Sequence, residues 1–401
     1  MNPAPEIDLA ACRHWRASLP FGGARLGLVP AWNAVTLLNP AAAEIWDLAA
    51  ATGDVDAVVD GYARARPARA ELARADVDAC LVAWGAQGLF HPPAPSPEQK
   101  ALAERPGRPV PNPSALALRH RMELTPGGPA VVLEIAEPTL ARIVADLVAG
   151  FPEPPPGTAT RQLTATGPDG GWLLRLDGAP LRRAETRVAA RGQIVAELVR
   201  LAAGGDGWRA TVHGAALTGQ AGTVFLTGET GAGKSTLAAG LVSCGWALLA
   251  EDIAAFDDDL RVTPMPFALS VKEGAVPVLR EAYPALDQAP VHRLGPRRVR
   301  YLPLPAAARA AGPARPDLIV QVRYDPAFDP DHAETARLSP LEALGLFLNE
   351  ESFIDFEREP LDAFLRFVEH TPACTIRYGS LAAAQRAIAA CLAGAPESRR
   401  G

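Results

Sequence analysis

Eight residues constrain this chain more than any other stretch: Gly228-Glu229-Thr230-Gly231-Ala232-Gly233-Lys234-Ser235. Glycine, four residues, glycine, lysine and then a hydroxyl residue is the spacing of a phosphate-binding loop, or P-loop. The glycines let the backbone curl so that its N–H groups point inward at phosphate oxygens. A helix starting at the loop turns its positive end on the same anion. The flanks fit, because Thr223 to Thr227 reads as a short buried strand and Ser235 to Val242 as a helix. Gly228, Glu229, Thr230, Gly231, Ala232, Gly233, Lys234, Ser235 and Thr236 are therefore candidates to cradle ATP. Lys234 would neutralise the outer phosphates, and Ser235 would bind Mg²⁺, which favours oxygen ligands. The plain alternative is a glycine-rich turn that binds nothing.

Composition singles out the same lysine. Of 39 basic residues only Lys100, Lys234 and Lys272 are lysines. Lysine is a compact point charge and arginine a wide planar fork, so a surviving lysine marks a place where arginine cannot serve. Lys100 lies in a Pro-rich stretch. Lys272, in Ser270-Val271-Lys272-Glu273, could bring its ammonium to a transferring phosphoryl group, where positive charge lowers the barrier. Otherwise it is a surface lysine.

Glu251-Asp252 closes the next apolar run, Trp246 to Ala250. A carboxylate there can face Mg²⁺ beside the P-loop, so Asp252 joins Ser235 as a metal candidate. The second acid then offers a general base for an attacking hydroxyl. Neighbours on a strand point to opposite faces, so a bulge or strand end is needed to bring both acids in. A solvated acidic pair is the alternative. Ile253 to Phe256 and Leu260 to Thr263, around Asp257 to Asp259, read as a hairpin, and Leu318 to Val322 as a further buried strand. The Arg293 to Arg300 cluster reads as a solvated basic face or as a patch that steers an acidic substrate. Strand, loop, helix and strand in this order imply an α/β sandwich.

The first 92 residues read as a separate small unit. Strands around Pro30 precede Asn39-Pro40, an N-cap and first-turn pair. Three short helices follow, ending near Gly53, Arg66 and Gly88, which gives a winged-helix-like order. Residues 93–115 are Pro-rich and read as a stiff linker, and residues 116–401 as the larger domain. Residues 1–92 carry seven arginines and ten acids, and the whole chain is at −6. A nucleic-acid reader should show a basic stripe, so nucleic acid is not an expected partner. No run of apolar residues is long enough for a membrane span, and no signal peptide is visible. Five scattered cysteines fit buried thiols in a reducing cytoplasm.

His213-Gly214 lies 21 residues before Lys234, and Glu251-Asp252 lies 17 and 18 after it. This layout resembles the catalytic core of bacterial HPr kinase/phosphorylase, and most closely the HPr-kinase-related group. The resemblance covers roughly residues 117–390, with its motifs in 211–256. It implies an α/β P-loop kinase domain that phosphorylates a hydroxyl with ATP and Mg²⁺. It also implies that Glu251 and Asp252 divide base and metal duties, in an order the residues leave open. His213 would sit near the γ-phosphate or the acceptor, or would be a satisfied core histidine. Arg323 resembles an arginine placed after a strand in the related kinases, able to clamp phosphate; otherwise it pairs with Asp325. True HPr kinases carry a Glu-rich, Arg-Gly-containing stretch where this chain has Pro266-Phe267-Ala268-Leu269-Ser270-Val271-Lys272-Glu273. That departure leaves HPr as substrate, and phosphorolysis, without support. HPr kinases form hexamers, so a homo-oligomer stays open.

Residues 6–92 resemble the PqqD-like leader-binding domain, or RiPP recognition element. The resemblance rests on Leu37-Leu38-Asn39, Ala42-Ala43-Glu44-Ile45-Trp46 and a terminal helix running into Trp84 to Phe90. Such domains bind a precursor peptide's leader by adding it as a strand to a sheet edge. The groove would lie between Ala34 to Leu38 and the helix Val77 to Ala86. The two resemblances together imply a cytoplasmic kinase for a Ser or Thr of a ribosomally made precursor, a lasso-type peptide being one class. A kinase for free serine or another small hydroxyl compound, and a non-catalytic ATP-binding scaffold, are the alternatives. A module for dimerisation or packing is the alternative for the N-terminal unit.

Overall fold

The computed structural model describes residues 12, 14–30, 34–90, 116–167, 171–204, 207–348 and 352–394. The expected linker 93–115, with Lys100, falls outside the described residues. The chain forms two compact units. One comprises Met1–Ala94, Ser339–Leu348 and Phe353–His370; the other comprises Pro95–Leu338, Asn349–Ser352 and Thr371–Gly401.

In the first unit β1 (Arg16–Phe21), β2 (Ala24–Val29) and β3 (Ala34–Leu38) form an antiparallel sheet. Asn39 caps α1 (Pro40–Thr52) by accepting the Ala42 N–H, and Gly53 ends it in the left-handed conformation. Asp54 caps α2 (Val55–Ala65), and α3 (Ala73–Ala86) follows a short 3₁₀ turn. Three tryptophans hold strands and helices together. Trp15 stacks on Trp46 at 3.8 Å, and Trp84 stands edge-on to both at 5.3 and 5.2 Å. The buried indoles keep their N–H groups satisfied: Trp15 donates to the Leu89 carbonyl at 3.0 Å and Trp46 to the Arg16 carbonyl at 2.7 Å. Gly27 is what lets β2 lie against the Trp46 ring, since a Cβ there would be 2.8 Å from a ring carbon. Helices Pro340–Phe347 and Leu361–His370 belong to this unit too. Phe347 packs edge-on to Phe364 at 5.7 Å, Glu369 accepts the Gly22 N–H at 3.0 Å, and Glu359 pairs with Arg16.

The second unit opens with a five-stranded sheet in the order β4 (Leu118–Glu123), β5 (Ala130–Ile135), β6 (Thr160–Thr166), β7 (Trp172–Leu176), β8 (Ala179–Ala184). Only β5 and β6 run parallel, joined by the crossover helix α4 (Pro138–Val148). Helix α5 (Arg187–Ala202) packs into the same core through Ile194 and Leu198. Strands β9 (Ala210–His213), β10 (Ala215–Gly219), β11 (Gly222–Thr227), helix α6 (Lys234–Ser243) and strands β12 (Ala247–Ala250) and β13 (Ile253–Phe256) come next. Then follow β14 (Leu269–Lys272), β15 (His292–Leu294), β16 (Arg297–Leu302), β17 (Leu318–Tyr324), β18 (Ala333–Arg337), β19 (Ala373–Tyr378) and α7 (Leu381–Ala393). A mixed six-stranded sheet runs β12-β10-β11-β17-β19-β18, and β14-β16-β15 form a separate antiparallel sheet. The second core, with Leu226, Leu237, Val320 and Ile376, encloses the central strands and α6. The chain is thus mixed α/β.

One expectation holds and one needs correction. Ile253–Phe256 pairs along its length with β9, from Ile253 opposite His213 to Phe256 opposite Ala210. Leu260 to Thr263 folds back on it: Val262 bridges antiparallel to Phe256, the Thr263 N–H donates to the Ala255 carbonyl at 3.0 Å, and the Asp257 N–H donates to the Arg261 carbonyl at 3.0 Å. The hairpin therefore forms, but it is not isolated, since Val262 also bridges to Ala314. Not all cysteines are buried: Cys12 and Cys374 are, but Cys244 is exposed. Among the described residues no helix is long and apolar enough to cross a membrane.

Candidate functional site

Strand β11 is buried from Thr223 to Thr227 and lies between antiparallel β10 and parallel β17. Its exit is the glycine loop. Gly228 has φ +139°, and a Cβ there would sit 2.9 Å from the Val322 carbonyl of β17. Gly233 has φ +98°, and a Cβ there would be 2.7 Å from the Tyr378 hydroxyl. Both positions need glycine for conformation and for room. Gly233 then serves as the N-cap of α6, so the helix's positive end opens on the loop. Lys234, 9% exposed, folds its ammonium back on the loop and donates to the carbonyls of Gly228 at 2.6 Å and Glu229 at 3.2 Å. Glu229, Thr230 and Gly231 are exposed at the rim, and the Ala232 N–H closes the turn on the Glu229 carbonyl at 3.1 Å. Thr236 is partly buried in the first turn of α6.

The acidic pair meets this loop. The Ser235 hydroxyl donates to Glu251 Oε1 at 2.7 Å. Glu251 is 3% exposed, and its Oε2 has no hydrogen-bond partner among the described residues. Burial pushes its carboxyl up to about 8, and the neighbouring Asp252 charge pushes the same way; Ser235, Arg191 and the Ser270 amide oppose them. Asp252 does not continue the strand. Its φ of +69° turns the chain, and the Ile253 N–H closes on the Glu251 carbonyl at 2.8 Å. The alternation of a strand is broken there, and Asp252 reaches His213 while Glu251 reaches Ser235. Asp252 Oδ1 lies 3.6 Å from His213 Nδ1, and Oδ2 lies 3.6 Å from the Arg191 guanidinium. The turn is pinned again by the Gly214 N–H, which donates to the Asp252 carbonyl at 3.2 Å.

Two residues of this cluster carry no signal in the sequence. Arg191 comes from α5, is largely buried, and donates through Nε to the Tyr301 hydroxyl at 3.0 Å. Tyr301, on β16, is buried, and burial raises its hydroxyl pKa. One arginine among dozens, and a tyrosine 110 residues later, cannot be paired by inspection. Lys272 ends β14 near the acids: burial and Arg297 lower its pKa, while Asp252 and Glu251 hold it up. Arg323, the penultimate residue of β17, is exposed beside the loop, where the Tyr324 N–H donates to the Ala232 carbonyl at 3.0 Å. Asp325 is engaged by Arg377 at 2.6 Å, not by Arg323. Arg300 is tied to Glu273 at 2.6 Å and to three backbone carbonyls, so it holds β16 in place; Arg293, Arg297 and Arg298 are exposed. Among the described residues no three His, Cys, Asp or Glu side chains gather as a metal cage.

The first unit has its own candidate surface. Among the described residues strand β3 pairs with β2 alone. Thr36 Oγ1 donates to Gln87 Oε1 at 2.8 Å and so ties β3 to the end of α3. Leu37 on β3 and Val82 on α3 are more than half exposed, at 58% and 59%. Residues 28–89, from the end of β2 through α3, match the family of coenzyme PQQ synthesis protein D (PqqD). The N-terminal unit is therefore PqqD-like over that span. No curated protein matches the chain.

Proposed function

We propose that this chain is a cytoplasmic ATP-dependent kinase for a Ser or Thr hydroxyl of a ribosomally made precursor peptide. In this reading the PqqD-like unit holds the leader, and the larger unit is a P-loop kinase of the HPr-kinase-related kind. The observation that carries the reading is the contact of Ser235 with the buried Glu251 at the start of α6, with Lys234 folded onto the loop beside it. A hydroxyl and two carboxylates are hard oxygen donors, and Glu251 Oε2 is buried without a partner. That donor set fits Mg²⁺. Ser235 and Asp252 would hold the ion, and residues Gly228 to Thr236 the nucleotide.

Bound Mg²⁺ would neutralise charge on the phosphates. The chain's own groups do the rest. Lys234 exchanges its two carbonyl acceptors for phosphate oxygens. Loop N–H groups and the α6 terminus stabilise negative charge without reorganising. The acceptor oxygen bonds to the γ-phosphorus of ATP, the bond to the bridging oxygen breaks, and ADP leaves. The hydroxyl proton passes to a carboxylate oxygen of Asp252 or Glu251. His213 and Arg191 hold Asp252 in position, and Lys272 and Arg323 add positive charge. Leader capture raises the local concentration of the acceptor, so the kinase site itself can bind it weakly.

The test is intact-mass spectrometry of the precursor peptide encoded beside this gene, after incubation with the protein, Mg²⁺ and ATP. A gain of about 80 Da that vanishes with Lys234→Ala is the expected result. ATP consumption on free serine without a mass gain would move the function to a small-molecule kinase. Nucleotide binding with no turnover would leave a scaffold.

A further inference from the structure

A pocket of about 450 Å³ opens in the second unit, away from the P-loop. It forms where the end of β4, the end of α4, β12, the Pro264–Pro266 segment and Ala306–Ala310 meet. None of Gly228 to Thr236, His213, Glu251, Asp252 or Lys272 lines it. Its walls are apolar, with Leu124, Phe151, Leu248 and Met265 among them. Its size falls within the range that takes small organic ligands.

Two ionisable residues line it, Glu123 and Arg309. Glu123 is already engaged, because its Oε1 accepts the Gly127 N–H at 2.6 Å. Arg309 is anchored through Nη1, which donates to the Gly150 carbonyl. Its Nε is buried and has no acceptor among the described residues. A buried donor without an acceptor is uncommon in a folded chain and asks for a reason. The anchoring is built into the backbone. A Cβ on Gly150 would fall 2.2 Å from the Pro266 carbonyl oxygen and 3.4 Å from Arg309 Nη1. Only glycine lets the end of α4, Pro266 and the guanidinium converge.

An arginine held by Nη1 keeps its Nε–Nη2 edge, the edge that grips a carboxylate with two parallel hydrogen bonds. One arginine and one glutamate sum to no net charge, so a monocarboxylate leaves one negative charge uncompensated and a phosphate dianion two, which favours the carboxylate. We propose that this pocket binds a small amphipathic monocarboxylate, its apolar body against Leu124, Phe151, Leu248 and Met265 and its carboxylate on Arg309. A small adjustment of the guanidinium gives the orphaned Nε its acceptor.

The test is isothermal titration of the full chain with octanoate, with 1-octanol and inorganic phosphate as controls. Octanoate should bind once per chain, and octanol, with the same tail, at least tenfold more weakly. Arg309→Gln should weaken octanoate at least tenfold. Because Arg309 also holds Gly150, Ala310→Trp provides a second variant: it plugs the pocket and should abolish binding with an unchanged melting midpoint. Lys234→Ala should leave octanoate affinity unchanged, which keeps this site separate from the P-loop whether or not the chain is a kinase. Absence of octanoate binding, equal binding of octanol, or indifference to both pocket variants would overturn the proposal. Arg309-dependent binding of phosphate in place of octanoate would also overturn it.

Discussion

The Ser235 hydroxyl and the Glu251 carboxylate share a 2.7 Å hydrogen bond that joins the first turn of α6 to the end of β12. Glu251 is buried, and its carboxyl is raised to about 8, chiefly by that burial. Below its ordinary value of 4.5 the carboxyl is protonated in folded and unfolded chains alike, and its stabilising contribution is complete. As pH rises from there through about 8, the unfolded chain releases the proton first and the contribution is lost. The nucleotide-free protein should therefore melt higher at pH 6 than at pH 8. Glu251→Gln should flatten that slope in scans run at a series of pH values. An unchanged slope in the variant would assign the pH dependence to other groups.

Lys234 packs against the glycine loop, and in the proposed function it exchanges those contacts for phosphate oxygens. Lys234→Ala should reduce ATP binding by at least tenfold in equilibrium dialysis. Leader affinity, read by fluorescence anisotropy of a labelled peptide, should stay within twofold of wild type. Equal loss of both would contradict the division of labour between the units.

Leu37 and Val82 are exposed, so charging them removes little packing. Leu37→Glu and Val82→Glu should each weaken leader binding several-fold while the urea midpoint stays put. An unaltered leader affinity in both variants would move the binding surface away from β3 and α3.

Trp46 is fully buried, stacked on Trp15 and edge-on to Trp84. Trp46→Ala should cost about 3–5 kcal/mol, the range for removing a large buried aromatic. Urea unfolding followed by tryptophan fluorescence measures it. A cost below about 1 kcal/mol would mean that the three-tryptophan stack is not what holds the sheet to the helices.

The parts of this architecture that are local in sequence were legible there. Asn39-Pro40 and Gly53 bound α1 as their capping chemistry requires, and the glycine loop lies between the strand and helix its neighbours imply. The demand that both acids enter one site was legible as a problem, and the left-handed turn at Asp252 is its physical answer. Contacts between distant segments were not legible. Arg191 reaches Asp252 from a helix sixty residues earlier, and no spacing rule links them. The second bridge of Val262, to Ala314, joins the local hairpin to a segment about fifty residues on in the chain, and nothing in the sequence marks it. The Arg309 pocket is assembled from five separated segments and has no motif at all.

Helices Pro340–Phe347 and Leu361–His370 belong to the unit that begins at the N-terminus. A ribosome makes the whole glycine loop and its acidic pair before it reaches them. The first unit, whose own strands precede the glycine loop, is thus completed only after that loop has been made. The strands that begin this unit cannot be cut away from the later helices without stripping Glu359 and Glu369 of their partners at Arg16 and Gly22.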